Sequence, residues 1–323
     1  MTEAGADPRE RGRLTRRAAS ASMAVALILL LLKAAALWQS GSMALLGSLA
    51  DSGLDLIASL VTLLGVRWAA MPADHEHRFG HGKAEALAAL FQVTLIAMAA
   101  TAIAWESIRR FGTGHATAAP ELGIGVSAFA ILLSLGLVAY QRRIIARTGS
   151  LAISTDNLHY QSDLFLNISV IAALALDHYA GWRGADQAFG LGIALWLGWG
   201  AWRSASEAVD HLMDKEWSIG ERRHFLEIAL RHPELRGIHD MRTRSSGAER
   251  FVQFHVSVDP EMTVRHAHQV MDQIEDRLRL EFPGVEILIH PDPYGYDGRE
   301  EGDDPLRAAE SRKLLEEEMR AGK

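Results

Sequence analysis

The stretch SLADSGLDLI, residues 48–57, lies inside a long apolar run and carries Asp51 and Asp55 four positions apart. Residues at i and i+4 share one helix face. An Asp at mid-bilayer costs about 2.5–3.5 kcal/mol on insertion scales. Two on one face therefore need a partner or a ligand. The stretch STDNLHYQSD, residues 154–163, repeats the device with His159 and Asp163. Three carboxylates and one imidazole suit a tetrahedral divalent-metal site. The competing reading is that these groups only hydrogen-bond neighbouring helices, together with Ser48, Ser52, Asn157 and Gln161. Matched pairs on two helices favour the metal. An imidazole among the ligands shifts preference from Mg2+ or Ca2+ toward Zn2+, Fe2+, Co2+, Ni2+ or Cd2+.

Working outward, six apolar spans are expected, at about 18–38, 43–69, 84–110, 119–141, 151–177 and 185–211. Each reaches the roughly 20 residues a membrane helix needs. The first, SMAVALILLLLKAAALW, is apolar on nearly every side, whereas a soluble helix keeps a polar face. It is read as a retained helix rather than a signal peptide. Basic residues set the orientation. Arg9, Arg11, Arg13, Arg16 and Arg17 precede span one; Arg67, Arg78 and Lys83 surround the second loop; Arg142, Arg143 and Arg147 follow span four. This pattern places both termini in the cytoplasm.

The chain lacks cysteine, so disulfides, thiolate metal sites and Cys nucleophiles are excluded and any metal must use His, Asp or Glu. The net charge of −7 collects in the C-terminal tail and gives no nucleic-acid surface. No nucleophile–base constellation points to an enzyme, and HExxH is absent. The loop PADHEHRFGHGK concentrates Asp74, His75, Glu76, His77 and His81, a density that suits either metal binding or a solvated loop.

From about 215 to 291 the pattern changes to αββαβ, a small α+β domain. His239, His255, His268 and His290 recur there, with Asp240 and Asp292 beside two of them. The expected division is a polar N-terminal segment at 1–14, a six-helix transmembrane domain at 15–212, a cytoplasmic domain at 213–294 and a charged, disordered tail at 295–323.

The runs GSLADSGLDLIASLVTLLGVRWAAMPADHEHRFGHGKAEALAAL, DNLHYQSD and ILIHPDP resemble the cation diffusion facilitator family, and most closely its bacterial zinc and ferrous-iron efflux branch. The resemblance covers about residues 15 to 292. It implies a homodimer in the bacterial inner membrane, with a six-helix bundle and a metallochaperone-like cytoplasmic domain. It assigns Asp51, Asp55, His159 and Asp163 to the transport site, and Asp74, His77 and His81 to a loop site. His239, His255, His268, His290 and Asp292 become a binuclear cytoplasmic site, and Lys83 with Asp214 a charge pair that helps hold the protomers together. His75 and Glu76 stand where relatives often carry other polar residues.

The implied activity is export of divalent transition-metal cations in exchange for protons. Zn2+ is both the expected cargo and the expected structural or regulatory ion, with Fe2+ and Cd2+ next. Metal ligands must be deprotonated, so metal and protons compete for one site. Two alternatives remain: Fe2+ or Mn2+ as the main substrate, and a membrane metal sensor that does not transport.

Overall fold

Lipid offers no hydrogen bonds, so an apolar chain within it closes its backbone bonds internally as helix. The computed structural model describes residues 8–40, 43–110, 121–180 and 184–295. Six long helices come first: α1 Pro8–Ser40, α2 Met43–Ala69, α3 Ala84–Arg110, α4 Glu121–Thr148, α5 Leu151–Ala180 and α6 Ala185–Leu212. Then follow α7 Ile219–Ala229, β1 Gly237–Ser246, β2 Glu249–Val258, α8 Val264–Glu281 and β3 Val285–Pro293. The chain divides into two compact units between Leu212 and Met213.

Helix α1 begins ten residues ahead of the expected apolar span. Pro8 suits a first helical position because its φ is preset and its missing N–H is unneeded there. The Arg-rich segment, expected as a polar extension, is packed. Leu14, Thr15, Ala18 and Ala19 are buried. Arg11 Nε donates to the Thr148 carbonyl at 2.7 Å, and its guanidinium lies 3.6 Å from Glu85. Residues 1–7, residues 111–120 and the stretch from 296 expected as a charged tail lie outside the described residues.

Among the described residues, four stretches are long and apolar enough by themselves to cross a bilayer: Arg9–Gln39, Ser48–Ala69, Ala84–Arg109 and Ala128–Thr148. Helices α5 and α6 have 30 and 28 residues, but their apolar character is interrupted. Asp156, Asn157, His159, Gln161 and Asp163 punctuate α5; Arg203, Glu207 and Asp210 punctuate the end of α6. The bundle pairs α3 with α6 and α1 with α2, while α5 packs on α3, α4 and α6. Small residues bring backbones close. A Cβ on Gly65 of α2 would meet the Ala88 Cβ of α3 at 2.5 Å. Large apolar side chains such as Leu31, Leu64, Leu132, Leu195 and Trp199 face outward, as lipid allows and water would not favour.

The second unit is built around a three-stranded sheet in the order β1-β2-β3. Strand β2 is antiparallel to β1 and parallel to β3, the helix α8 forming the connection. Helix α8 buries Ala267, Val270, Met271, Ile274 and Leu278, one face at helical spacing. Val270, Met271, Ile274 and Leu278 join Phe225 and Leu226 of α7 and Val252, Phe254 and Val256 of β2 in one core. Helix α7 starts on a capping box in which Ser218 and Glu221 satisfy each other's free N–H.

Candidate metal centres

Among the described residues, three groups of His and Asp side chains bring their ligand atoms within 4.8 Å of one another. The first lies between α2 and α5. His159 Nε2 is 3.0 Å from Asp55 Oδ1 and 3.8 Å from Asp163 Oδ2. Helical phase sets this arrangement: Asp163 lies one turn beyond His159, and Asp55 approaches from the neighbouring helix. Asp51 lies one turn before Asp55 but is exposed and outside this group. His159 is held laterally by its neighbour Tyr160, which is buried. The Tyr160 hydroxyl donates to the Ser22 carbonyl of α1 at 3.0 Å and lies 3.0 Å from Ser59 Oγ of α2.

A buried polar node sits one turn before His159. Asp156 is fully buried. It accepts from Ser22 Oγ of α1 at 2.5 Å, from Gln92 Nε2 of α3 at 2.8 Å and from Gln141 Nε2 of α4 at 2.6 Å. Four helices thus meet on one carboxyl group. Sequence reasoning passed over this residue, although its spacing of three from His159 was visible. It also passed over Lys33, whose Nζ donates to Ser52 Oγ at 2.6 Å and to the Ser48 carbonyl at 3.2 Å.

The second group is Asp74, His77 and His81, in the loop after α2. Asp74 Oδ1 accepts from the N–H of His77 at 2.6 Å and of Glu76 at 2.9 Å, folding the loop back on itself. The imidazoles then approach the same carboxyl group: His77 Nδ1 at 3.3 Å and His81 Nε2 at 3.3 Å. Gly80, with φ 74°, supplies the left-handed turn that swings His81 inward. The His77 N–H, then that of Glu76 and the two imidazoles, hold the Asp74 carboxyl below the ordinary aspartate value. His81 is buried, and its Nδ1 has no hydrogen-bond partner among the described residues. His75 and Glu76 are exposed and stand outside the group.

The third group is His239, His255 and Asp292, in the second unit. Sheet register makes it. His239 of β1 pairs with His255 of β2, which pairs with His290 of β3, so three imidazoles form a row across the strands. Asp292 follows His290 by two and shares its face. Its Oδ2 is 3.1 Å from His239 Nε2 and 2.9 Å from His255 Nδ1; its Oδ1 is 3.2 Å from His290 Nε2. Register shifts just after His239, where Asp240 adopts φ 47° and is gripped by Arg242 at 2.8 Å. His268 is elsewhere: on α8, largely exposed, 3.7 Å from Asp272. Lys83 Nζ donates to the Leu212 carbonyl at 3.1 Å, and Asp214 Oδ2 lies 3.9 Å from Arg244.

All three groups mix imidazole with carboxylate, a donor set for borderline transition-metal ions rather than for Mg2+ or Ca2+. The model of the cation efflux transmembrane domain matches residues 19–213, a stretch that includes α5 and α6. The model of the cation efflux protein cytoplasmic domain matches residues 220–294. The chain is 42% identical over 289 residues to the cation-efflux pump FieF of Salmonella arizonae, covering 90% of this chain and 96% of the relative. The FieF pump of Salmonella newport matches at the same identity and coverage. A solved CzrB structure in its Zn form is 31% identical, covering 27% of this chain and 99% of that one, with TM-score 0.24. With both units matched and 42% identity over nearly the full length of a cation-efflux pump, the chain belongs to the cation efflux, or cation diffusion facilitator, family of membrane transporters and is not an enzyme.

Proposed function

We propose that this transporter exports divalent transition-metal cations, Zn2+ foremost with Fe2+ and Cd2+ as further cargo, in exchange for protons. The observation that carries the reading is the meeting of Asp55, His159 and Asp163 across two helices. Asp51 stands one turn from Asp55 and is assigned as the fourth ligand, joining when the ion binds. The coupling follows from the ligands. A metal can bind only groups that have shed their protons, so one site holds either protons or the ion. Facing the cytoplasm, the site loads metal and releases protons. Facing the other side, protons displace the metal.

The protein works as a homodimer in the bacterial inner membrane, with both termini in the cytoplasm. Its functional parts are the segment 1–14, the membrane domain 15–212, the metal-binding domain 213–294 and the tail 295–323. Asp74, His77 and His81 form the loop site, which the unpartnered His81 Nδ1 and the converging imidazoles support. His239, His255, His290 and Asp292 hold structural or regulatory Zn2+, with His268 completing the set from α8. Such binding biases transport only if affinity differs between the two facing states. Lys83 and Asp214 are assigned to the charge pair that ties the protomers together.

Reconstituted transport across a panel of divalent ions, with and without a pH gradient, tests the reading. Zn2+ flux should drive opposite proton movement, and Asp55→Ala should abolish both. Metal movement without proton movement would refute the coupling. A sensor would show neither, with Asp51→Ala leaving its biological output intact.

A further inference from the structure

Lysine inside an apolar helix ordinarily runs its stem to the membrane surface and leaves the ammonium in water. Lys33 does otherwise. It follows the unbroken run Leu27–Leu32 and is half-buried. Its ammonium is held by α2, at 2.6 Å from Ser52 Oγ and 3.2 Å from the Ser48 carbonyl. Ser52 is itself buried and sits between Asp51 and Asp55 in the chain. Ser48 and Ser52 are four apart, as are Asp51 and Asp55, so the serines and aspartates occupy adjoining stripes of one helix. Ser52 is the chain neighbour of Asp51, so its bond to Lys33 puts the ammonium beside the acidic stretch of α2, across the α1–α2 contact.

Two neutral oxygens are poor compensation for an ammonium in a lipid-embedded bundle. Asp51, the chain neighbour of Ser52, is the carboxylate placed to supply the rest. Counting charges gives the reason such a group belongs there. Asp51, Asp55 and Asp163 carry three negative charges when ready for metal. A divalent ion leaves one over among these ligands, and Lys33 offsets it; Asp156, held by Ser22, Gln92 and Gln141, lies outside this count. A loaded site that is neutral can change its exposure without dragging net charge through a low-dielectric core.

We infer that Lys33 is a resident counter-charge of the transport site, one that weakens the hold on a divalent ion enough for release and balances the site when it is loaded. The inference rests on the assignment of Asp55, His159 and Asp163 as the transport ligands. It makes Lys33 an affinity-setting residue rather than a ligand: its ammonium lowers affinity by repulsion, and its charge is the property used.

The test uses full-length protein in micelles and in proteoliposomes, with Zn2+ alone as probe. Lys33→Met keeps the apolar stem and removes the charge. It should tighten Zn2+ binding at least about tenfold, the scale of one unit charge as far as about 20 Å from a divalent ion at an effective dielectric of about 20. In flux assays it should lower KM and kcat together, because release slows. Lys33→Arg, which keeps the charge, should restore both toward wild type. Asp55→Ala is run in parallel: wild-type flux there sinks the ligand assignment itself. If Asp55→Ala abolishes flux while Lys33→Met leaves affinity unchanged or weakens it, the counter-charge role is wrong. A Lys33→Arg protein that behaves like Lys33→Met also overturns it, since charge would not be the property used.

Discussion

Replacing Asp156 with Leu should be among the most damaging single changes in the bundle, and replacing it with Asn among the mildest at a buried acidic position. The carboxyl group receives donors from Ser22, Gln92 and Gln141 on three other helices. Leucine leaves Gln92 Nε2 without an acceptor, while Ser22 Oγ keeps the Ala18 carbonyl at 3.2 Å and Gln141 Nε2 keeps Ser22 Oγ at 2.8 Å. An orphaned donor costs about 1–3 kcal/mol and each of the two other lost bonds about 0.5–1.5, so the loss should be roughly 2–6 kcal/mol before the bundle relaxes. Asparagine keeps one oxygen, which can face Ser22 and Gln141, and places its NH2 toward Gln92. That clash has a ready remedy. Gln92 Oε1 is buried without a hydrogen-bond partner among the described residues, so turning the Gln92 amide over presents an acceptor to the new NH2. The net loss should then be about 1 kcal/mol. Equilibrium unfolding of the full-length protein in mixed micelles measures both. An Asn variant as unstable as the Leu variant would refute the donor count, and so would a Leu variant within about 1 kcal/mol of wild type.

Asp292→Asn removes the one carboxylate that touches His239, His255 and His290, so it should abolish metal-dependent protection of the sheet. At 100 times Kd a ligand stabilises by about 2.7 kcal/mol, and a hundredfold weaker site leaves about 0.4 kcal/mol; hydrogen exchange across β1, β2 and β3, with and without Zn2+, reads the difference, and retained protection in the variant would refute the site. Partial burial pushes the Glu221 carboxyl up, but hydrogen bonds from Ser218 and the Arg250 guanidinium override it and hold the group below the ordinary glutamate value. A depressed carboxyl stabilises the fold above its unfolded value, here about 4.5, and that contribution disappears as pH falls through the lower folded value. Glu221→Gln should therefore flatten the acid dependence of α7 stability below about pH 4.5, measured by hydrogen exchange, and an unchanged acid profile would refute the assignment.

The meeting of polar side chains within the membrane helices was partly readable because helical phase is a local property. A DxxxD and an HxxxD each fix two side chains on a face, and the structure brings Asp55, His159 and Asp163 together as that phase allows. Which of the two aspartates of α2 meets His159 depends on the rotation of one helix against another, and spacing cannot supply it. The exposed Asp51 shows the limit. Asp156 was legible as a polar residue in an apolar helix, but its role was not. Its partners come from positions 22, 92 and 141, and only packing shows that they converge. The same holds at the other end of the chain's charge pattern. Arg11 looks like a loose basic residue until α4 and α3 arrive with Thr148 and Glu85.

The sheet site makes the converse point. Four histidines and an aspartate were visible, but a strand shifted by one residue turns every side chain to the other face. The irregularity after His239 decides the matter. Asp240 in the left-handed region is an unfavourable position for a non-glycine residue, and Arg242 holds its carboxyl group in place. With that bulge, His239 stays level with His255 while the residues from Arg242 onward pair in a different register. His268 follows Ala267 on a helix whose buried face is fixed by Val270, Met271, Ile274 and Leu278, and so it stays off that row in a single chain. A metal held by His268 together with His290 therefore needs either a movement of α8 or a second protomer. Zinc affinity that falls with protein dilution in wild type, but not in His268→Ala, would select the second.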